Sequence, residues 1–233
     1  MNNPDKRRNK ERLYQLFTQV ASALANPHRL ELVDLLAQAP RTVEELAKEA
    51  QMSIANTSQH LQRLKHARLV RDEREGLYVR YRLAAPAVAR LWLDVRALAG
   101  QQLAEVDDAL TAYRPLRNAI ATISMAELLE RQRNDEVMLI DVRPAVEYEH
   151  GHLPGAISLP LEQLERRLAE LPEDKLIVAY CRGPYCVYAD EALALLVNQG
   201  WTVARLEEGV LEWRLAGYES MVEQEEHDDR TYH

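Results

Sequence analysis

The sequence predicts a chain of two domains of different class. The first is a mainly-α domain that closes on a β-hairpin, and the second is an α/β domain built on a parallel sheet. Three observations predict this. The chain has 233 residues, enough for two domains of about 100 residues each. Its charge divides unevenly: residues 1–100 carry 17 Lys and Arg against 11 Asp and Glu, whereas residues 101–233 carry 12 against 26. The hydrophobic period also changes, from helical spacing before Ser124 to continuous apolar runs alternating with helices after it. A basic half suits a polyanion such as double-stranded DNA, and an acidic half repels one.

Composition excludes several classes. At 47% hydrophobic and 28% charged the chain is ordinary globular material. No apolar run reaches the roughly 18 residues that a membrane span needs. The start, MNNPDKRRNKER, is basic but lacks the apolar segment of a secretory signal. Two cysteines make no disulfide framework, so a cytoplasmic protein with no membrane partner is expected.

In the first half, ERLYQLFTQVASAL (11–24) places apolar residues at helical spacing. A second helix opens at Asn26, a good N-cap, with Pro27 at its first position. A third is announced by the capping box of Thr42 and Glu45. A fourth opens at Ser53 and turns Leu61 and Leu64 inward, leaving Asn56, Gln59, His60 and Arg63 outside. LVRDEREGLYVRYRL then reads as a hairpin turning near Glu75-Gly76, with arginines at 71, 74, 80 and 82. A polar helix fits the DNA major groove, where Asn, Gln and Arg pair with base edges, while hairpin arginines lie along phosphates. Ser53, Asn56, Gln59, His60, Arg63, Arg74 and Arg80 are the candidate DNA-binding residues. The arrangement is a winged helix-turn-helix.

The stretch ALANPHRLELVDLLAQ, with the S-x-H-L-x-x-L of Ser58 to Leu64 and the wing after it, resembles the ArsR family of dimeric bacterial repressors over residues 12–84. Members of that family often sense metals through cysteines in the third helix or His and carboxylates in the last. Here TVEELAKEA has no cysteine and the helix after the wing has no histidine. His28, His60 and His66 have no second ligand at a useful spacing, so neither a metal nor a cofactor is expected. Residues 85–113 read as one long amphipathic helix, with Leu91, Val95, Leu98, Leu103, Val106 and Leu110 in its stripe. So long a stripe outgrows a small domain, and the resemblance implies a homodimer paired through residues 85–112. The first domain is therefore set at 1–112.

Residues 113–123 read as a linker, 124–220 as the α/β domain and 221–233 as an acidic, disordered tail. Ser124 caps a helix, VMLIDV (137–142) and KLIVAYC are buried parallel strands, LEQLERRLAEL is a helix, and TVARLEEG is a further strand. Both cysteines, Cys181 and Cys186, follow the strand LIVAY, where the chain enters a helix. Ligands bind at the carboxyl ends of strands in open α/β sheets. Loop N–H groups and the helix N-terminus favour a thiolate there, the reactive form. Cys181 is thus a candidate nucleophile.

IDVRPAVEYEHGHLPGAI (140–157) and Y-C-R-G-P-Y-C-V resemble the signature motifs and active loop of rhodaneses, across residues 124–217. The resemblance implies that Cys181 takes up sulfane sulfur as a persulfide from a donor and passes it to a thiol acceptor. It also implies that Gly183, Tyr185 and Val187 form the loop cradle, that Asp141 braces the loop, and that Arg143 and Arg182 hold an anionic donor. Rhodanese loops commonly have glycine where Pro184 stands, and Ser, Thr or Arg where Cys186 stands; Cys186 is either a resolving thiol or a small packing residue. The related phosphatase and arsenate-reductase loops end in Arg, whereas Val187 and Tyr188 occupy that region. The expected function is a DNA-binding regulator that senses reactive sulfur. The alternatives are a working sulfurtransferase with an accessory DNA-binding domain and, weakest, an arsenate- or phosphate-handling loop.

Overall fold

A computed structural model describes residues 4–221. Past Met221, the acidic tail expected over 221–233 lies outside the described residues. The molecule divides into two compact units between Gln101 and Gln102. Residues 113–123, expected as a linker, therefore lie inside the second unit.

The first unit begins with α1 (Pro4–Leu24) and α2 (Pro27–Gln38), the latter capped by the Asn26 side chain, which accepts from the Arg29 N–H. A two-residue strand β1 (Arg41–Thr42) leads into α3 (Val43–Glu49), whose Thr42–Glu45 capping box is complete. Helix α4 (Ile54–His66) starts at Ser53, whose hydroxyl accepts from the Asn56 N–H. Strands β2 (Val70–Glu75) and β3 (Tyr78–Leu83) form the antiparallel wing, and β1 joins its β3 edge. Gly76, at φ +62°, makes the tight two-residue turn with Leu77. Leu32, Val33, Leu46, Leu61 and Leu64 fill the core. Helix α5 (Pro86–Gln102) is pinned to α2 by Asp34, which accepts from Trp92 Nε1 at 2.6 Å and pairs with Arg96 at 3.6 Å.

The single helix expected over 85–113 is two. Helix α5 ends at Gln102, and α6 (Glu105–Tyr113) starts after Leu103 and Ala104. Gly100 weakens the end of α5, and Glu105, Asp107 and Asp108 suit a fresh helix N-terminus.

The second unit holds a five-stranded, wholly parallel sheet in the order β4-β8-β7-β5-β6. Its strands are β4 (Thr122–Ile123), β5 (Val137–Asp141), β6 (Ile157–Ser158), β7 (Leu176–Tyr180) and β8 (Val203–Leu206). Helices α7 (Met125–Arg133), α8 (Ala145–His150), α9 (Tyr188–Asn198) and α10 (Val210–Leu215) accompany it. One core gathers Leu128, Leu139, Val178 and Trp213; the other gathers Ile140, Ile177, Leu193 and Leu196. Central strand β7, paired on both sides, delivers Cys181 from its carboxyl end. The helix expected over LEQLERRLAEL is instead two 3₁₀ turns, Leu161–Arg166 and Leu168–Glu170. Leu161 and Leu164, then Leu168 and Leu171, are three residues apart, which matches a three-residue turn better than an α-helical face.

Candidate functional site

The two cysteines share one loop. Cys181 is buried and Cys186 half-buried, both are free, the Cys181 Sγ lies 3.6 Å from the Cys186 carbonyl oxygen, and the Cys186 side chain is near enough to bear on the acidity of Cys181. Backbone N–H groups of Ala189, in the first turn of α9, and of Gly183 also point at the Cys181 sulfur, and Arg205 Nη2 lies 3.5 Å from it. Burial pushes the Cys181 thiol up. The Cys186 hydrogen bond, the Arg205 charge and the two N–H groups outweigh burial and bring it down to about 7. Donating to that sulfur, and then burial, pushes the Cys186 thiol well above its ordinary range. One thiol is thus prepared as nucleophile while its neighbour keeps its proton.

Of the three cradle residues read from sequence, Gly183 donates its N–H to the sulfur, and it does so at φ +114°. A Cβ there would also meet the Glu212 carboxylate at 3.0 Å. Val187 instead occupies the cap position of α9, and the helix N–H turned on Cys181 is that of Ala189. Tyr185 is half-buried in the same loop.

The residues expected to hold an anionic donor are differently employed. Arg143 is wholly buried; it donates to both Asp141 oxygens at 2.6–3.1 Å and to the Gly151 carbonyl at 2.8 Å. It is a strut, with no edge turned toward a donor. Asp141 also accepts from the Tyr180 hydroxyl at 2.6 Å, so its carboxylate fixes the residue preceding Cys181. Arg182 is clamped by the fully buried Glu147 at 2.6–3.1 Å and stacks over Tyr188, with 12% of its side chain exposed. Its charge is neutralised before any donor arrives.

Sequence reasoning missed the strongest groups in this site. Arg205 of β8 is 1% exposed and donates through Nη2 to the carbonyls of Gly183 and Cys186, each at 3.0 Å, in addition to its approach to the sulfur. Its Nη1 pairs with Asp190. Asp190 also receives Arg114, from Nε at 2.6 Å and Nη2 at 3.0 Å. An arginine inside the apolar strand VARL was the available signal, because a buried charge must be paired. Gly209 was also missed. A Cβ at that position would lie 2.8 Å from the Cys181 carbonyl oxygen and from backbone atoms of Arg182 and Gly183, so the loop rests directly on it.

In the first unit, Ser53, Gln59 and Arg63 of the α4 face are exposed, Asn56 is half-buried, and Arg74 is exposed on the wing. His60 does not join them. It is buried with its ring 5.5 Å from that of His28, and burial, then the His28 and Arg29 charges, lowers its pKa. Arg80 pairs with Glu45 and Glu75, each at 3.2 Å. Among the described residues no group of three or more His, Cys, Asp or Glu could hold a metal ion, and no helix is long and apolar enough to cross a membrane.

Comparison with known proteins agrees with this division. Residues 26–72 match the family model of bacterial regulatory proteins of the arsR family, and residues 124–216 match the rhodanese-like domain. The HTH-type transcriptional regulator Rv0324 of Mycobacterium tuberculosis is 47% identical, covering 89% of this chain and 91% of that protein. A protein named sulfurtransferase from Allochromatium vinosum is 34% identical over 36% of this chain and 77% of its own length. Among solved structures, the homodimeric winged helix-turn-helix DNA-binding domain of Mb0332 from Mycobacterium bovis is 38% identical over 45% of this chain and 94% of its own, with a TM-score of 0.41. The similarity to Rv0324 runs through both units, and the chain belongs to the ArsR family of transcriptional regulators, with a rhodanese-like domain as its second half.

Proposed function

We propose that the protein is a dimeric repressor whose rhodanese-like half registers sulfane sulfur at Cys181. The observation that carries the reading is the buried Cys181 sulfur, 3.5 Å from Arg205 Nη2 and 3.6 Å from the Cys186 carbonyl oxygen, with a second free thiol in the same loop. The Cys181 thiolate attacks the outer sulfur of a persulfide donor, R–S–SH. A new S–S bond forms, the donor's S–S bond breaks, and its electron pair leaves with the thiolate RS⁻. Cys186 then attacks the inner sulfur of Cys181–S–SH, giving the Cys181–Cys186 disulfide and releasing the outer sulfur as H₂S. A thiol acceptor that reaches the outer sulfur first carries it off as its own persulfide and restores the Cys181 thiol, which is transferase chemistry. The relative named sulfurtransferase supports that branch. Phosphate or arsenate chemistry draws no support, because Val187 and Tyr188 stand where those loops place Arg.

On the DNA side, Ser53, Asn56, Gln59 and Arg63 read bases and Arg74 meets phosphate, in a homodimer paired through residues 85–112. The exposed α5 stripe supports that pairing: Leu91, Val95 and Leu98 are 37%, 37% and 59% exposed. The site of sulfur uptake is tested by intact-mass analysis of the full chain after sodium polysulfide. The wild type is expected to lose two hydrogens as the disulfide forms. Cys186→Ser should stop one sulfur heavier, on Cys181, and Cys181→Ser should stay unmodified. Equal sulfur uptake by Cys181→Ser would contradict the reading.

A further inference from the structure

The residue that follows α6 is built into the sulfur loop. Arg114 is 2% exposed although it lies in a stretch whose sequence reads as a linker. It grips both oxygens of Asp190, donates through Nη1 to the carbonyl of Pro184, at the tip of the loop, and approaches Glu207 at 3.4 Å. Asp190 is shared with Arg205, which holds the carbonyls of Gly183 and Cys186. Two buried guanidiniums and one carboxylate therefore fasten three consecutive features: the end of α6, the loop carbonyls and the Cys181 sulfur.

We propose that Arg114 is a positioning residue of the sulfur loop and the point at which the loop's state passes to the segment leading from the DNA-binding half. Closing a Cys181–Cys186 bond draws the two free sulfurs to about 2.05 Å. The Cys186 backbone must follow, and with it the 183–186 turn, which is closed by the Cys186 N–H to Gly183 carbonyl bond at 3.2 Å. A buried guanidinium does not give up an acceptor without finding another. Arg114 therefore moves with Pro184 or turns elsewhere. A cavity of about 480 Å³ beside it, lined by Arg117, Asn118, Thr122, Pro184 and Glu207, gives it room.

The coupling part of this inference rests on the sulfur reading above, and the positioning part does not, so two measurements on the full chain separate them. The first is the pH profile of iodoacetamide alkylation at Cys181 in Arg114→Gln and Arg114→Lys. Without Arg114, the Asp190 charge is less neutralised and the loop loses its Pro184 anchor. Alkylation at pH 7 should fall by roughly threefold to tenfold in Arg114→Gln as the profile moves to higher pH. It should move less far in Arg114→Lys, which keeps the charge but cannot hold Asp190 and Pro184 together. Folded variants with the wild-type profile overturn the positioning role, and Arg114→Lys alone decides if Arg114→Gln does not fold. The second is amide hydrogen exchange over residues 105–119 with and without sodium polysulfide. Exchange should change in the wild type and stay constant in Cys181→Ser. Unchanged exchange in wild-type protein shown by mass to hold the Cys181–Cys186 disulfide overturns the coupling. Wild-type protein whose mass sodium polysulfide leaves unchanged, with no sulfur held by Cys186→Ser, counts against the proposed function, and the alkylation profile then still decides the role of Arg114.

Discussion

A thiol with a pKa of about 7 is half thiolate at neutral pH, and at Cys181 a second cysteine contributes to that value. The sign follows from which form each neighbour stabilises. The Cys186 S–H, Arg205 and the N–H groups of Ala189 and Gly183 all favour the thiolate, and burial favours the thiol. Alkylation of Cys181 should therefore rise with pH through a midpoint near 7 in the wild type. In Cys186→Ala one donor is gone, and the midpoint should move upward; an unmoved profile measured by adduct mass would remove Cys186 from the activation of Cys181. Much of this site was legible in the sequence. A cysteine at the end of an apolar strand, before a helix, announces both its position and its reactivity. The roles of Arg143 and Arg182 were not legible, because a motif names an arginine without saying which carboxylate takes it. Asp141 and Glu147 took these two. Arg205 was hidden for the opposite reason: it lies outside both quoted motifs, and only pairing in the third dimension brings β8 beneath the loop.

The helices of the first unit present more apolar surface than the unit itself covers. Leu13, Tyr14, Leu16 and Phe17 of α1, with Leu91, Val95 and Leu98 of α5, remain exposed while the same helices bury Ala23, Leu24, Val88 and Leu93. Burying a leucine side chain contributes about 1.5–3 kcal/mol, and a two-fold interface uses each position twice. Leu98→Glu should therefore weaken self-association at least about tenfold, read by sedimentation or light scattering against concentration. An unchanged monomer–dimer equilibrium would place the interface elsewhere. The stripe itself was visible as period 3.6, but the break at Leu103–Ala104 was not, since both residues are good helix formers. The break follows from the competing N-terminus that Glu105, Asp107 and Asp108 favour. The same limit explains residues 161–171, where leucines read as a helical face in sequence settle into two 3₁₀ turns.

At the scale of the whole molecule, the division of charge foretold the division of labour. The basic half carries the helix-turn-helix, and the acidic half carries the thiols. The sequence boundary was less well marked, because the stretch after Tyr113 has the polar and proline content of a linker while Arg114 and β4 are built into the second unit. A protein of this kind acts as a sulfur sensor only if chemistry in one half changes DNA affinity in the other, and effectors typically change affinity by roughly 5–150-fold. The most direct measurement is the dissociation constant for operator DNA at one fixed salt concentration, before and after sodium polysulfide, for the wild type and Cys181→Ser. Salt is held constant because phosphate contacts make affinity strongly salt-dependent. The account predicts a wild-type constant that shifts within that range and returns when the disulfide is reduced, and a Cys181→Ser constant that does not move. Equal operator affinity of treated and untreated wild type, with the Cys181–Cys186 disulfide confirmed by mass, would contradict it.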